Sequence, residues 1–268
     1  MRNKPKLCLI LLVGLVLLLA NSTIGCGQNP RYIYENGAVE VGGDGEPIEL
    51  INNPNATNPT YAELVVFIEE DSTDEHPYRD ESFFPVSLLY VCSDFAQDVH
   101  NNAEVAGIRA AWVGIDFEGD DEGHALNAFD TTDRGLVYID CTGGGSLSPS
   151  LEYNATSWDT VAYVEIGKEY GLIDIGKAKS PSYSFYEQYK QKSQEYQKLL
   201  SDYNDEIMQY NQEIREKVYY EGSAELAEME AWEARLEEKS QEIDELGEEL
   251  GDYWFEPLGI VEDAQIHW

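Results

Sequence analysis

The chain has 268 residues, room for one or two domains with a sizeable core, and its 43% apolar and 12% aromatic content excludes a disordered chain. Lys and Arg number 17 against 52 Asp and Glu, a net charge of −35 at pH 7. That field repels phosphate backbones and anionic headgroups, which excludes nucleic acid as a partner, and it otherwise reads as the solvated surface of an exported protein.

Arg2, Lys4 and Lys6 precede the apolar run from Leu7 to Ala20. The run is shorter than the roughly 20 residues a spanning helix needs and has the length of an export signal's apolar region. It closes on Thr23-Ile24-Gly25-Cys26-Gly27, which resembles a lipobox, the motif whose cysteine becomes the lipid-bearing first residue of the mature protein. Residues 1–25 are therefore expected to be a signal peptide and Cys26 the lipidation site. Ordinary cleavage and an uncleaved anchor are the alternatives; all three place the rest of the chain outside the cytoplasmic membrane. Of the four cysteines, Cys8 lies in the signal, which leaves Cys92 and Cys141. In an oxidising compartment these two invite a disulfide.

Residues 26–59 are rich in Gly, Asn and Pro and read as a flexible tether, with a short strand around Val39, Val41 and Ile48. From residue 60 the texture changes. Thr60 with Glu63 forms a capping-box pattern for a helix whose face carries Leu64, Phe67 and Ile68. Residues 69–83 form an acidic connection in which His76 reads as a loop residue. Cys92, Phe95, Ala96, Val99, Ala103 and Ala106 then recur at helical spacing up to Gly107, a C-cap signal. Cys92 falls at the start of that helix, where exposed backbone N–H groups favour the thiolate.

An apolar strand is expected over 108–115, followed by an acidic turn over 118–123 whose Asp120-Asp121 reads as solvated rather than calcium-binding. A hairpin is expected over 124–142 about the turn 131–135. On a period of two, His124, Leu126 and Ala128 share a face; so do Leu136, Tyr138 and Asp140, with Cys141 on the opposite side. A near-symmetric register brings His124 and Asp140 together. Gly143-Gly144-Gly145-Ser146 is a flexible exit, and strands are expected over 160–166 and 170–175.

Residues 181–252 change to Gln, Glu, Lys, Tyr and Leu. Tyr196, Leu200, Tyr203, Ile207, Tyr210 and Ile214 form one seam; Leu226, Met229, Trp232, Leu236, Ile243, Leu246 and Leu250 form a second, after a break at Glu221-Gly222-Ser223. This predicts an antiparallel helical hairpin, a scaffold or docking arm whose bulky Tyr seam leaves room for a partner helix. The apolar tail, residues 253–268, is expected to rejoin the core of residues 60–180 as an edge strand beside 160–175, with His267 on the surface.

Cys92-Ser93-Asp94-Phe95-Ala96, Ala106-Gly107-Ile108-Arg109-Ala110, Gly123-His124-Ala125 and Tyr138-Ile139-Asp140-Cys141-Thr142 together resemble the core of the transglutaminase-like superfamily. The resemblance covers residues 60–142. It implies an α+β, papain-like fold with a helix packed on an antiparallel sheet, the cysteine at the helix start and the histidine and aspartate on the sheet. It also implies a thiol acyl-transfer site with Cys92 as nucleophile, His124 as its acid and base and Asp140 as the group orienting the imidazole, and it calls for no cofactor or metal. Trp112 is a candidate wall of the cleft. The expected substrate is a protein or peptide amide at the cell surface, with water or an amine as acceptor. Three other readings stand beside it: a Cys92–Cys141 disulfide, a metal site short of a fourth ligand, and a non-catalytic surface module that binds a partner through the hairpin.

Overall fold

A computed structural model describes residues 30–35, 37–76, 78, 89–119, 123–142, 159–251 and 258–268. The signal peptide, Cys26, Asp120-Asp121 and the 143–146 exit lie outside the described residues. The described chain is α+β. Ten strands and four α-helices follow in order: β1 Arg31–Tyr32, β2 Tyr34–Glu35, β3 Ala38–Val39, β4 Glu49–Leu50, α1 Tyr61–Glu70, α2 Cys92–Ala106, β5 Ala111–Phe117, β6 His124–Thr131, β7 Gly135–Asp140, β8 Thr160–Tyr163, β9 Gly171–Asp174, α3 Tyr183–Glu216, α4 Ala224–Leu250 and β10 Val261–His267. Among them no helix is long and apolar enough to cross a membrane.

The main sheet is antiparallel in the order β10-β5-β6-β7-β8-β9. β6 and β7 form the expected hairpin, with Asn127 opposite Ile139 and Thr131 opposite Gly135. β5 starts later than expected because Ile108 and Arg109 are already engaged: the Ile108 N–H closes the end of α2 on Ala103 O, and the Arg109 N–H donates to Thr57 O. The tail does return as an edge strand, and β10 pairs with β5. Its first residue and the residues just ahead of it also lie beside the β8–β9 turn, within 160–175, with the Tyr170 N–H donating to Gly259 O at 2.9 Å and the Val261 N–H to Lys168 O at 2.8 Å. The sheet therefore curls until its two ends touch. Its inner face encloses Val113, Ile115, Leu126, Ala128, Ala162 and Val261.

The outer face carries the helices. Leu64 and Ile68 of α1 and Val99 and Ala103 of α2 pack with Phe129, Val137, Ile139, Val161 and Ile173. The capping box of α1 is formed, Thr60 Oγ1 accepting from the Glu63 N–H and Glu63 Oε2 from the Thr60 N–H. The side-chain amide of Asn127 donates to Ala96 O at 2.8 Å and pins α2 to the sheet.

Residues 30–59 are not a flexible tether. Ile33, Ile48 and Leu50 are at most 1% exposed and pack with Ala96, Trp112 and Ala125. The segment lies along one polar face of α2. Asp94, Gln97, Asn101 and Glu104 accept the backbone N–H groups of Gly43, Glu49, Ile51 and Asn53 at 2.9, 2.6, 2.8 and 2.7 Å. Side chains three and four residues apart on a helix thus take the place of a neighbouring strand. Gly42 and Gly43 are required at the crossing, since a Cβ on Gly42 would lie 2.1 Å from Asp94 Oδ1 and one on Gly43 2.8 Å from Leu89 Cβ.

Between β9 and β10 the chain runs out and back through α3 and α4. Antiparallel pairing shows in Lys192 with Glu249, Glu206 with Lys239 and Tyr210 with Trp232. Met229, Leu236, Ile243 and Leu250 are buried at seven-residue steps. The break begins at Lys217, ahead of the expected position, and Ser223 caps α4 by accepting the Leu226 N–H at 3.0 Å. The root of the arm is part of the body: Tyr186, Tyr189 and Leu250 belong to the core beneath the sheet, which the boundary at 181 does not respect.

Candidate active site

The site forms where β6 begins, β7 ends and α2 begins. Val91 is extended, with φ −115° and ψ 178°, and hands over to the helix at Cys92. Asp94, in the first turn, accepts the Val91 N–H at 2.9 Å as well as that of Gly43, so one carboxylate fixes the helix start and ties the N-terminal segment across it. Burial pushes the Asp94 carboxyl up, against the pull of these two backbone donors. Cys92 is half-buried at the first helical position, where backbone N–H groups lack helical acceptors and concentrate positive potential.

His124 opens β6 and Asp140 closes β7. The hairpin register places them on one face, and His124 Nε2 lies 2.7 Å from Asp140 Oδ2. With side chains only 10% and 4% exposed, the pair is removed from water. Burial alone would hold the imidazole neutral. The Asp140 charge and hydrogen bond, together with a hydrogen bond to Cys92, prevail and push His124 up to about 10. Burial likewise opposes ionisation of Asp140, and the His124 charge and hydrogen bond win, holding its carboxyl below the ordinary value. With Nε2 committed to Asp140, Nδ1 is the ring nitrogen left to face the thiol. Cys92, His124 and Asp140 thus come together at one site, each contributed by a different element, with His124 bonded to Asp140 and influenced by Cys92.

Cys141 takes no part. It is a free thiol, as is Cys92, and lies on the outer face with Val137 and Ile139, so the two are not bridged. Burial, then the negative charge of Asp159, pushes its thiol well up, which leaves it protonated and unreactive. Among the described residues no group of three His, Cys, Asp or Glu side chains is arranged to hold a metal ion. Trp112 is buried in the cluster against which Cys92 packs. His76 is exposed and lies against Tyr90, with ring centres 4.8 Å apart. His267, expected on the surface, is partly buried with its ring 5.8 Å from that of Trp112.

Several residues of the site carry no signal in the sequence. The Tyr170 hydroxyl donates to Asp140 Oδ2 at 2.8 Å, and the Thr142 N–H donates to Asp140 Oδ1 at 2.8 Å. The rings of His124 and Tyr170 meet edge to face, 5.5 Å between centres. Tyr170 sits in a turn far along the chain, and only the curl of the sheet brings it here.

No family model, no curated protein and no solved structure matches the chain.

Proposed function

We propose that the protein is a thiol acyl-transfer enzyme of transglutaminase-like character, exported, anchored through a lipid on Cys26, and acting on amide bonds of proteins or peptides at the cell surface. The observation that carries this reading is the buried His124–Asp140 pair at 2.7 Å beside Cys92, with the thiol at a helix start and the imidazole's proton affinity raised by the carboxylate.

In this reading the Cys92 proton resides on His124, and the resulting thiolate attacks an amide carbonyl carbon. The carbon–nitrogen bond breaks, the imidazolium gives its proton to the departing amine, and a thioester on Cys92 remains. An incoming amine or water then attacks the thioester carbon and loses a proton to His124. The carbon–sulfur bond breaks, giving a new amide or a carboxylic acid, and the starting pair of Cys92 thiolate and His124 imidazolium is restored. Asp140 stays ionised throughout, fixing the ring's tautomer and orientation. The backbone N–H of Cys92 is the donor we assign to the carbonyl oxygen as it gains charge.

The test is capture of the acyl-enzyme. The protein is incubated with a glutamine-rich carrier protein and a fluorescent primary amine, and intact mass is recorded alongside labelling. A Cys92-linked acyl adduct or amine incorporation, both absent in Cys92→Ala, is expected. The second reading, a non-catalytic module that docks a partner through the α3–α4 arm, draws on the exposure of Val218 and Tyr220 at the arm's tip. It is favoured if neither adduct nor incorporation forms while the arm retains a binding partner.

A further inference from the structure

Two donors converge on a single oxygen of Asp140. His124 Nε2 and the Tyr170 hydroxyl both bond Oδ2, at 2.7 and 2.8 Å, while the Thr142 N–H holds Oδ1 at 2.8 Å. A carboxylate oxygen has two lone pairs, so both donors are accommodated. Tyr170 is 1% exposed, and its ring meets those of His124 and Phe117 edge to face, with centres 5.5 and 5.8 Å away. The backbone around it is held from two directions. Its N–H donates to Gly259 O at 2.9 Å, and the preceding Glu169 O accepts the Tyr183 hydroxyl of α3 at 2.6 Å. The ring of Tyr186 fills the space beside Gly171, where a Cβ would come within 2.4 Å of it. A hydroxyl held this firmly adds a hydrogen bond to the carboxylate without adding a charge, because a phenol stays neutral across the physiological range.

We propose that Tyr170 is a positioning residue of the site: its hydroxyl fixes the Asp140 carboxylate and its ring contact fixes the His124 imidazole, so that the second ring nitrogen stays aimed at Cys92. This rests on the acyl-transfer reading for its catalytic consequence, though not for its geometry. Without the hydroxyl, Oδ2 keeps His124 as its remaining donor of the two, and the carboxylate is free to turn about its bond.

The variant is Tyr170→Phe, which retains the ring. Tyr61→Phe serves as a control that also removes a buried tyrosine hydroxyl bond, the one to Ala178 O at 2.9 Å, which involves neither Asp140 nor the turn that carries Tyr170. The first readout is the imidazole N–H signal of His124 by NMR, assigned by its loss in His124→Ala. The second is the rate of Cys92 alkylation by iodoacetamide. In Tyr170→Phe the imidazole signal shifts or broadens. Alkylation also slows, roughly 10- to 100-fold, the range found when a partner orienting an imidazole is removed from a metal site. Tyr61→Phe changes neither. An unchanged signal in Tyr170→Phe, or an equal change in the control, overturns the role of Tyr170. Should Tyr170→Phe lose its fold, difluorotyrosine at position 170 keeps ring and hydroxyl with a stronger donor, and an unmoved signal there overturns the role as well. A wild-type Cys92 that alkylates as slowly as in His124→Ala, with the signal still responding to Tyr170→Phe, contradicts acyl transfer while upholding the positioning role.

Discussion

Replacing Asp140 by Asn perturbs the site with the least change of shape. The carboxylate accepts from His124 Nε2, the Tyr170 hydroxyl and the Thr142 N–H at 2.7, 2.8 and 2.8 Å. An amide offers one oxygen, and its NH2 must face at least one of these donors. One buried donor is then left without an acceptor, which costs about 1–3 kcal/mol. Removing one partner of a buried ion pair costs about 3–5 kcal/mol where the other must stay charged. His124 can release its proton and escape part of that, so we expect a loss of about 2–4 kcal/mol near pH 5.5. The pH dependence has a definite sign. His124 is raised to about 10, so its contribution is complete below the unfolded value of about 6.5 and fades as pH climbs toward 10. Asp140 is lowered, so its contribution is complete above about pH 3.9 and fades as pH falls through the folded value. The pair thus stabilises most between about pH 4 and 6.5, and Asp140→Asn removes that maximum. Urea unfolding followed by tryptophan fluorescence, at about pH 5.5 and about pH 10, measures it. The gap between the two proteins should be largest at the lower pH and narrow at the higher. A gap under about 0.5 kcal/mol at pH 5.5, within the range of ordinary surface substitutions, refutes a buried charged pair.

Other outcomes follow from the same contacts. Leu50→Ala should destabilise the protein by about 2–5 kcal/mol in urea unfolding, since residues 30–59 are core and not tether. Gly43→Ala should lower stability by about 1–3 kcal/mol, because its Cβ meets Leu89 at 2.8 Å; no change in midpoint would contradict the close crossing. Cys141 should resist iodoacetamide in the folded protein and react only in denaturant, as peptide mass mapping will show. Excising residues 197–242 and joining the stumps should leave Cys92 alkylation intact. Excising 183–250 also removes Tyr186, Tyr189 and Leu250 from the core and should abolish the cooperative unfolding transition.

Local patterns carried much of this into view. The capping box at Thr60, the start of α2 at Cys92, the β6–β7 hairpin and the two long helices each announce themselves through spacing or turn chemistry within a few residues. The meeting of His124 with Asp140 followed from the period of two and a short turn, and so did the turning away of Cys141. What stayed hidden is tertiary. The Gly- and Asn-rich segment 41–53 has no period, because its backbone is satisfied by side chains of α2 and not by a strand. β10 could have paired at either end of the sheet. It pairs with β5 while its first residue and short lead bond 167–170, and only the curl of the sheet reconciles both contacts. Tyr170 reaches Asp140 through that same curl, from 30 residues further along the chain.

The central claim is that Cys92 is an activated thiol paired with His124. Its alkylation by iodoacetamide, followed by mass spectrometry in the native protein and in His124→Ala, tests this most directly. Rapid modification in the native protein, lost in His124→Ala, is the expected result. A Cys92 that reacts no faster than an ordinary thiol, at the same rate in His124→Ala, contradicts it.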